Sequence, residues 1–332
     1  MEKITPLHIV IPDDYQDAVR SLACFEKLAG HRVTIYNDTV KDLDALAARL
    51  QDADALVLIR ERTTVGEELL ARLPRLRIIA QTARVGPHVD VAACTRRGIV
   101  VTEGRGSPYA PAELTWALVL AAMRHIPLEA ARLRAGRWQT MLGRTLRGRT
   151  LGIWGYGNIG RLVAGYGRAF GMQVLVWGRE GSRARATADG FAVAQNREEL
   201  FERADVLSLH LRLTPETRGI VTEADLARMK PEALLVNTSR AALVAPGALE
   251  AALRRGRPGF AAVDVYEDEP VLGGAHPLLK LDNVLCTPHL GYVERDNYES
   301  YFSQAFDQIA AFARGEPTGV VNPEALNVPR GG

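Results

Sequence analysis

The sequence is short of the features that would tie it to a covalent scaffold, a membrane or a nucleic acid. Cysteine occurs three times in 332 residues, at Cys24, Cys94 and Cys286. An odd, scattered set excludes a disulfide framework and fits reduced thiols, so a cytoplasmic location is expected. Charge of one sign is equally lacking. Lys and Arg number 41 against 39 Asp and Glu, a net of +2 with no basic block, too little to indicate nucleic-acid binding. The longest apolar run, Leu114 to Met123, is about half the ~20 residues of a membrane span. Asp13 and Asp14 interrupt the opening MEKITPLHIVIPDDY before it can form the apolar core of a signal peptide. His8, His31, His88, His125 and His276 show no metal-ligand spacing. What is present, 47% apolar and 24% charged residues, is ordinary globular usage. The length suggests two domains of roughly 150 residues each.

Short β-branched runs alternate with amphipathic stretches from the start. The pattern predicts strands at Leu7–Ile11, Arg32–Tyr36, Ala55–Ile59, Arg77–Ala80 and Ile99–Val101. Between them it predicts helices at Asp17–Ala29, Asp42–Leu50, Glu67–Leu73 and Val91–Arg97. Such alternation implies a parallel sheet covered on both faces. Gly104–Pro111 breaks the pattern and marks a boundary. A long helix follows, with Pro111 in its first turn and Glu113 close behind. A second alternating series then begins, with strands at Leu151–Trp154, Val174–Trp177, Val206–Leu209, Leu234–Asn237, Ala261–Asp264 and Val284–Thr287. Beyond Gly291, Phe302, Phe306, Ile309 and Phe312 recur at helical spacing. The expectation is an α/β protein of two doubly wound parallel-sheet domains, the second nested in the first.

Gly155-Tyr156-Gly157-Asn158-Ile159-Gly160 matches G-x-G-x-x-G between the strand TLGIW and the helical run RLVAGYGRAFG. In that setting Gly155 permits the tight turn, Gly157 lets backbone approach a pyrophosphate, and Gly160 lets the helix pack on the strand. The pyrophosphate would meet the unpaired N–H groups of the helix start. The next strand ends Trp177-Gly178-Arg179-Glu180, with Arg183 and Arg185 nearby. An acid at that tip would accept from a ribose 2′-OH, whereas a guanidinium pairs with a 2′-phosphate. Gly178 and Arg179 therefore favour NADP(H), while Glu180 keeps NAD(H) open.

Three polar residues follow strand ends of the second series: Arg240 after LLVNTS, Glu269 after AAVDV, and His289 after VLCTP. Open α/β sheets bind ligands at that edge. The arginine can bind a carboxylate and polarise a neighbouring carbonyl. The histidine can give or take a hydroxyl proton as hydride moves, and the carboxylate can orient it and favour its charged form.

These segments, with ADVLSLHLRLTPETRGIV, MKPEALLVNTSRAALV, GFAAVDVYEDEP and NVLCTPHLG, make the chain resemble the D-isomer-specific 2-hydroxyacid dehydrogenase family from about Ala55 to Asn322. The resemblance implies a Rossmann-type NAD(P) domain, residues 107–290, inserted into a discontinuous flavodoxin-like substrate domain, residues 1–106 plus 291–332. It implies Arg240 as carboxylate anchor, His289 as proton donor and acceptor, and Glu269 as its partner. Asp264 would bond the nicotinamide carboxamide. Thr238, Ser239 and Gly291 would line the nicotinamide side, and His210 and Leu211 the adenosine or phosphate region. A homodimer through the nucleotide domain is implied as well.

Three segments depart from the family pattern. The usual Gly-x-Gly-x-Asp-Asn loop that offers N–H groups to the substrate carboxylate reads Ala83-Arg84-Val85-Gly86-Pro87-His88-Val89-Asp90. Arg84, Val85 and Gly86 are its candidate substrate contacts, and Arg60, ending DALVLI, is another. His210-Leu-Arg212-Leu-Thr214 and Arg240-Ala241 are milder changes. The expected reaction is hydride transfer between a nicotinamide and C2 of a small 2-keto or 2-hydroxy acid such as glyoxylate or hydroxypyruvate. D-3-phosphoglycerate dehydrogenation is one alternative. A nucleotide-sensing, corepressor-like scaffold is an alternative of a different class.

Overall fold

The computed structural model describes residues 6–329. The first five residues of MEKITPLHIVIPDDY, read above for a leader, lie outside them. The chain divides into two compact units, one of residues up to Ser107 together with those from Glu294 onward, the other Pro108–Val293.

The first unit holds a five-stranded parallel sheet: β1 (His8–Ile11), β2 (Arg32–Ile35), β3 (Ala55–Leu58), β4 (Ile78–Gln81) and β5 (Val100–Glu103), in the order β2-β1-β3-β4-β5. β3 and β4 are buried along their whole length, as expected of strands covered on both faces. Asp42 and Asp90 stop the incoming chain and start helices by accepting from Ala45 N and Ala93 N, each at 2.9 Å. The helix Arg295–Ala313 buries Phe302, Phe306 and Ile309 completely. The chain then returns to the edge of β5. Val321 N donates to Val101 O at 2.9 Å, and buried Asn322 accepts from Val101 N and donates to Ile99 O.

The second unit holds a seven-stranded parallel sheet: β6 (Thr150–Trp154), β7 (Gln173–Trp177), β8 (Ala192–Val193), β9 (Val206–Leu209), β10 (Leu234–Asn237), β11 (Phe260–Val263) and β12 (Val284–Cys286). Their order is β12-β11-β10-β9-β6-β7-β8. Alternation along the strands feeds two cores. Leu235 and Ala261 join Phe201, Leu226 and Leu253 on one face, whereas Val236 and Ala262 join Trp116, Val119 and Val163 on the other. Both sheets reverse strand order near their middle, the first between β1 and β3, the second between β6 and β9. Ligands of open α/β sheets bind at the carboxyl ends of the strands at such points.

Two local expectations change, and two elements were not expected. Asp17–Ala29 is not an α-helix but two 3₁₀ turns, Val19–Ser21 and Ala23–Leu28. The Asp14 carboxylate takes the N–H groups of Ala18 and Val19, and Glu299 takes those of Ala23 and Cys24, so the local helical ladder loses its donors. The long helix runs Tyr109–Met123, so Pro111 is its third residue and Glu113 lies beyond its first turn. The helix Ile126–Arg134 and the two-residue strand β8 carry too little apolar periodicity to be read in advance. No helix among the described residues is long and apolar enough to cross a membrane.

Candidate active site

The glycine motif sits where β6 ends. Gly155 adopts φ +103°, and a Cβ there would lie 2.5 Å from His210 O, so the turn needs both its backbone freedom and its missing side chain. A Cβ on Gly160 would sit 2.1 Å from Gly155 O, which is how closely the helix Asn158–Ala169 presses on the turn. At Gly157 the opposite holds: a Cβ would meet nothing within 4 Å. Gly157 is also the helix N-cap, and no side chain caps the N–H groups above it. Exposed Asn158 and half-buried Ile159 begin that first turn. Open space beside uncapped N–H groups suits a pyrophosphate, so these residues fit a dinucleotide.

Within the motif, the Tyr156 side chain points into the core. Its side chain is buried, donates to Asp189 Oδ2 at 2.7 Å and packs edge-on to Phe191. An aromatic ring of that size is better accommodated in the core than at a phosphate. Its carbonyl accepts from Arg185 Nη2 at 3.3 Å. At the β7 tip, Gly178 lies close to Gly155 and Ser182. Arg179 is exposed at the start of the helix Glu180–Ala188, and the Arg183 guanidinium covers the Trp177 ring at 4.9 Å.

His210 donates its N–H to Trp154 O at 2.8 Å, and its Nε2 pairs with Ser208 Oγ at 2.9 Å. Burial lowers the His210 pKa from 6.5 to about 4. Leu211 borders Gly155. Ser239 Oγ donates to Leu209 O at 2.7 Å, and Thr238 Oγ1 lies 2.7 Å from Thr115 Oγ1. Thr115 gives its own proton to Pro111 O, so Thr238 is the donor of that pair.

The adjacent parallel strands β10, β11 and β12 deliver the polar set to one sheet edge. Arg240 follows β10, half-buried, with Nη1 donating to Ser239 O and its own carbonyl held by Asn237 Nδ2. Glu269 follows β11. Its Oε1 accepts from Tyr266 N at 2.9 Å, and its Oε2 lies 2.6 Å from His289 Nδ1. That contact leaves Nε2 as the ring nitrogen facing away from the carboxylate. The His289 ring also meets Tyr292 edge-on at 5.2 Å.

His289 has φ +51°, a conformation that costs a non-glycine residue about 1–2 kcal/mol. Asp264 is what holds it. One carboxylate oxygen accepts from Thr287 Oγ1 at 2.6 Å and Leu290 N at 2.7 Å, and the other accepts from Gly291 N at 2.9 Å. Burial raises the Asp264 pKa, and these donors oppose the rise. Nothing local in the chain signals this turn-holding role, nor Thr287 and Tyr292, because it arises only when β11 and β12 pair. Gly291 is packed against Asp264 and Pro111.

The remaining candidates belong to the first unit. Arg84 is exposed, Val85 N donates to Glu103 Oε2 at 3.0 Å, and Gly86 is in contact range of His88. The Val85 N–H expected to serve a substrate carboxylate thus has a carboxylate of the chain itself. Arg60 follows β3 at φ +55°, its guanidinium 6.0 Å from the Tyr301 ring. Among the described residues no cluster of three or more His, Cys, Asp or Glu could hold a metal ion.

Comparison with known proteins agrees with this architecture. A family model described as "D-isomer specific 2-hydroxyacid dehydrogenase, NAD binding domain" matches residues 116–291. A crystal structure from Ralstonia solanacearum, provisionally described as a D-3-phosphoglycerate dehydrogenase oxidoreductase, is 58% identical. It aligns with a TM-score of 0.94 over 96% of this chain and 98% of its own. A phosphoglycerate oxidoreductase from Vibrio cholerae O395 is 55% identical, with a TM-score of 0.91 over 93% and 99%. The glyoxylate reductase of Aeropyrum pernix is 41% identical over 86% of this chain and 88% of its own length. The chain belongs to the D-isomer-specific 2-hydroxyacid dehydrogenase family of NAD(P)-dependent oxidoreductases.

Proposed function

We propose that the chain interconverts a small D-2-hydroxy acid and its 2-keto acid, with Arg240, Glu269 and His289 as the working residues. The 2.6 Å contact between His289 Nδ1 and Glu269 Oε2 carries this assignment. When bound, the dinucleotide supplies or accepts hydride. Arg240 binds the substrate carboxylate and polarises the carbonyl next to it. Glu269 accepts a hydrogen bond from Nδ1–H and fixes the ring, so that His289 Nε2 gives its proton to the carbonyl oxygen in reduction and takes it back in oxidation, Nδ1 keeping its own. Asp264 keeps His289 in its left-handed turn. Thr238, Ser239 and Gly291 shape the nicotinamide side and Gly155–Gly160 hold the pyrophosphate; within the first unit, Arg60, Arg84, Val85 and Gly86 are the proposed substrate contacts.

D-3-phosphoglycerate and its keto form are the first substrates to test, because the relatives at 58% and 55% identity carry that name and exceed the glyoxylate reductase at 41%. Glyoxylate and hydroxypyruvate come second. They are favoured by the strand tip Gly178-Arg179, where an exposed guanidinium suits the 2′-phosphate of NADPH and the reductive direction. A panel of 3-phosphohydroxypyruvate, hydroxypyruvate and glyoxylate, each reduced with NADH and with NADPH and followed at the nicotinamide absorbance, separates them. Turnover of the phosphorylated acid alone supports the first, and turnover confined to the other two supports the second. No turnover of any 2-keto acid contradicts both.

A homodimer is part of the proposal. The helix Ile126–Arg134 buries none of its residues, and Ile126, Leu133, Trp138 and Leu142 are exposed within one segment, Leu142 by 94%. Apolar side chains gathered in this way mark an interaction surface. Sedimentation equilibrium would find twice the chain mass, and Trp138→Ser with Leu142→Ser would lower it. A monomer at micromolar concentration contradicts this point.

A further inference from the structure

The loop that departs most from the family pattern, Ala83–Asp90, leads back to Arg60. Among the described residues, six that are not glycine have left-handed backbone, and three of them, Asp13, Asp17 and Arg60, follow β1 or β3. These two strands flank the switch point of the first sheet. Strain of this kind survives only where the surroundings over-determine it, and at Arg60 they do so from both sides. Its N–H donates to Thr82 Oγ1 at 3.1 Å, and Thr82 in turn donates to Leu58 O. Its carbonyl accepts from Gln81 Nε2 at 2.9 Å.

Gln81 and Thr82 are fully buried, and His88 is 8% exposed. A carbonyl only accepts, so the Gln81 amide must turn its nitrogen toward Arg60 and its oxygen away. That oxygen lies 3.3 Å from His88 Nε2, which therefore carries a proton. The imidazole has room because residue 86 is glycine: a Cβ there would come within 3.2 Å of His88 Nδ1. Gly86 and His88 thus act as a pair, one leaving the space that the other fills. The chain of donors runs His88 Nε2 to Gln81 Oε1, then Gln81 Nε2 to Arg60 O, and ends on the strained peptide that presents the arginine.

We infer that His88 and Gln81 are positioning residues for Arg60, a buried relay that fixes the angle at which the guanidinium meets the substrate. The inference rests on the assignment of Arg60 to the substrate above, and each can fail separately. Buried hydrogen-bonded side chains of this type stabilise one geometry, and losing one partner leaves the other unsatisfied.

The test is steady-state kinetics on the 2-keto acid that the panel shows to be reduced. Arg60→Ala and His88→Ala should each raise KM by about tenfold, with kcat and the dissociation constant of the dinucleotide changed less than about twofold. In the Arg60→Ala background, His88→Ala should add nothing further. His88→Gln, whose amide can again place an N–H near the Nε2 position, should recover most of the lost affinity. Gln81→Met, which keeps the volume and removes both bonds, serves if His88→Ala does not fold. KM effects that add in the double variant, or a His88→Ala and Gln81→Met KM equal to that of the parent while Arg60→Ala raises it, overturn the relay and leave Arg60 in place. An unchanged KM for Arg60→Ala overturns the substrate assignment and the relay with it.

Discussion

Two strand-to-helix turns, one after β6 and one after β4, achieve opposite things with the same backbone plan. The turn Gly155–Gly160 is made of missing side chains: one glycine for a left-handed φ, one for open space, one for contact at 2.1 Å. The loop Ala83–Asp90 is instead tied down by partners within the fold, the buried His88 side chain against Gln81 and the Val85 backbone N–H against Glu103. Under the proposed roles, a pyrophosphate needs only bare N–H groups and free space, whereas an acid is recognised by side chains that can change; the first turn keeps the family motif and the second departs from it.

A methyl group added at two of the glycines separates their roles. Gly160→Ala should cost about 3 kcal/mol or more, because its Cβ meets a backbone carbonyl that cannot move without the turn. Thermal unfolding would show a clear loss. Gly157→Ala should leave the unfolding temperature almost unchanged and weaken dinucleotide binding by about tenfold or more, as its Cβ enters the space reserved for the pyrophosphate. Equal thermal effects at the two positions would remove the distinction between packing glycine and cradle glycine.

A smaller effect is expected at the β7 tip. Arg179→Asp should shift the NADPH-to-NADH ratio of kcat/KM towards NADH by about tenfold, the scale of one charge-assisted contact. An unmoved ratio would mean that the exposed guanidinium does not meet the 2′ position.

An effect on stability rather than on binding is expected at His210, which packs beside Gly155. Its folded pKa of about 4 lies below the ordinary 6.5. A depressed histidine favours the folded state above 6.5, and that stabilisation is lost as pH falls from 6.5 towards 4. His210→Gln should therefore unfold less steeply with acid over this window than the parent protein. Identical slopes in urea titrations at successive pH values would contradict the assignment.

How much could be read in advance follows the same division. The glycine turn is legible because its spacing and its flanking strands are local, and β9 and β10 are legible because their short, mostly apolar runs are buried along their whole length. Side-chain direction is not. Tyr156 stands inside the motif yet serves the core, a fact decided by Asp189 and Phe191. Asp17–Ala29 forms 3₁₀ turns instead of the expected helix because Asp14 and Glu299, the latter 276 residues from Ala23, take its donors. The turn held by Asp264 depends on β11 pairing with β12, and the relay to Arg60 depends on the register that sets Gln81 opposite Leu58. Such contacts are products of tertiary structure and leave no periodic trace in the chain.

Whether one imidazole delivers the proton while hydride moves is decided by His289→Ala, with turnover and dinucleotide affinity measured on the same preparation. The expected result is a fall in kcat of about 10²–10⁴-fold with the dissociation constant of NADPH within about twofold of the parent. Unchanged turnover, or a loss fully accounted for by weaker dinucleotide binding, would contradict it.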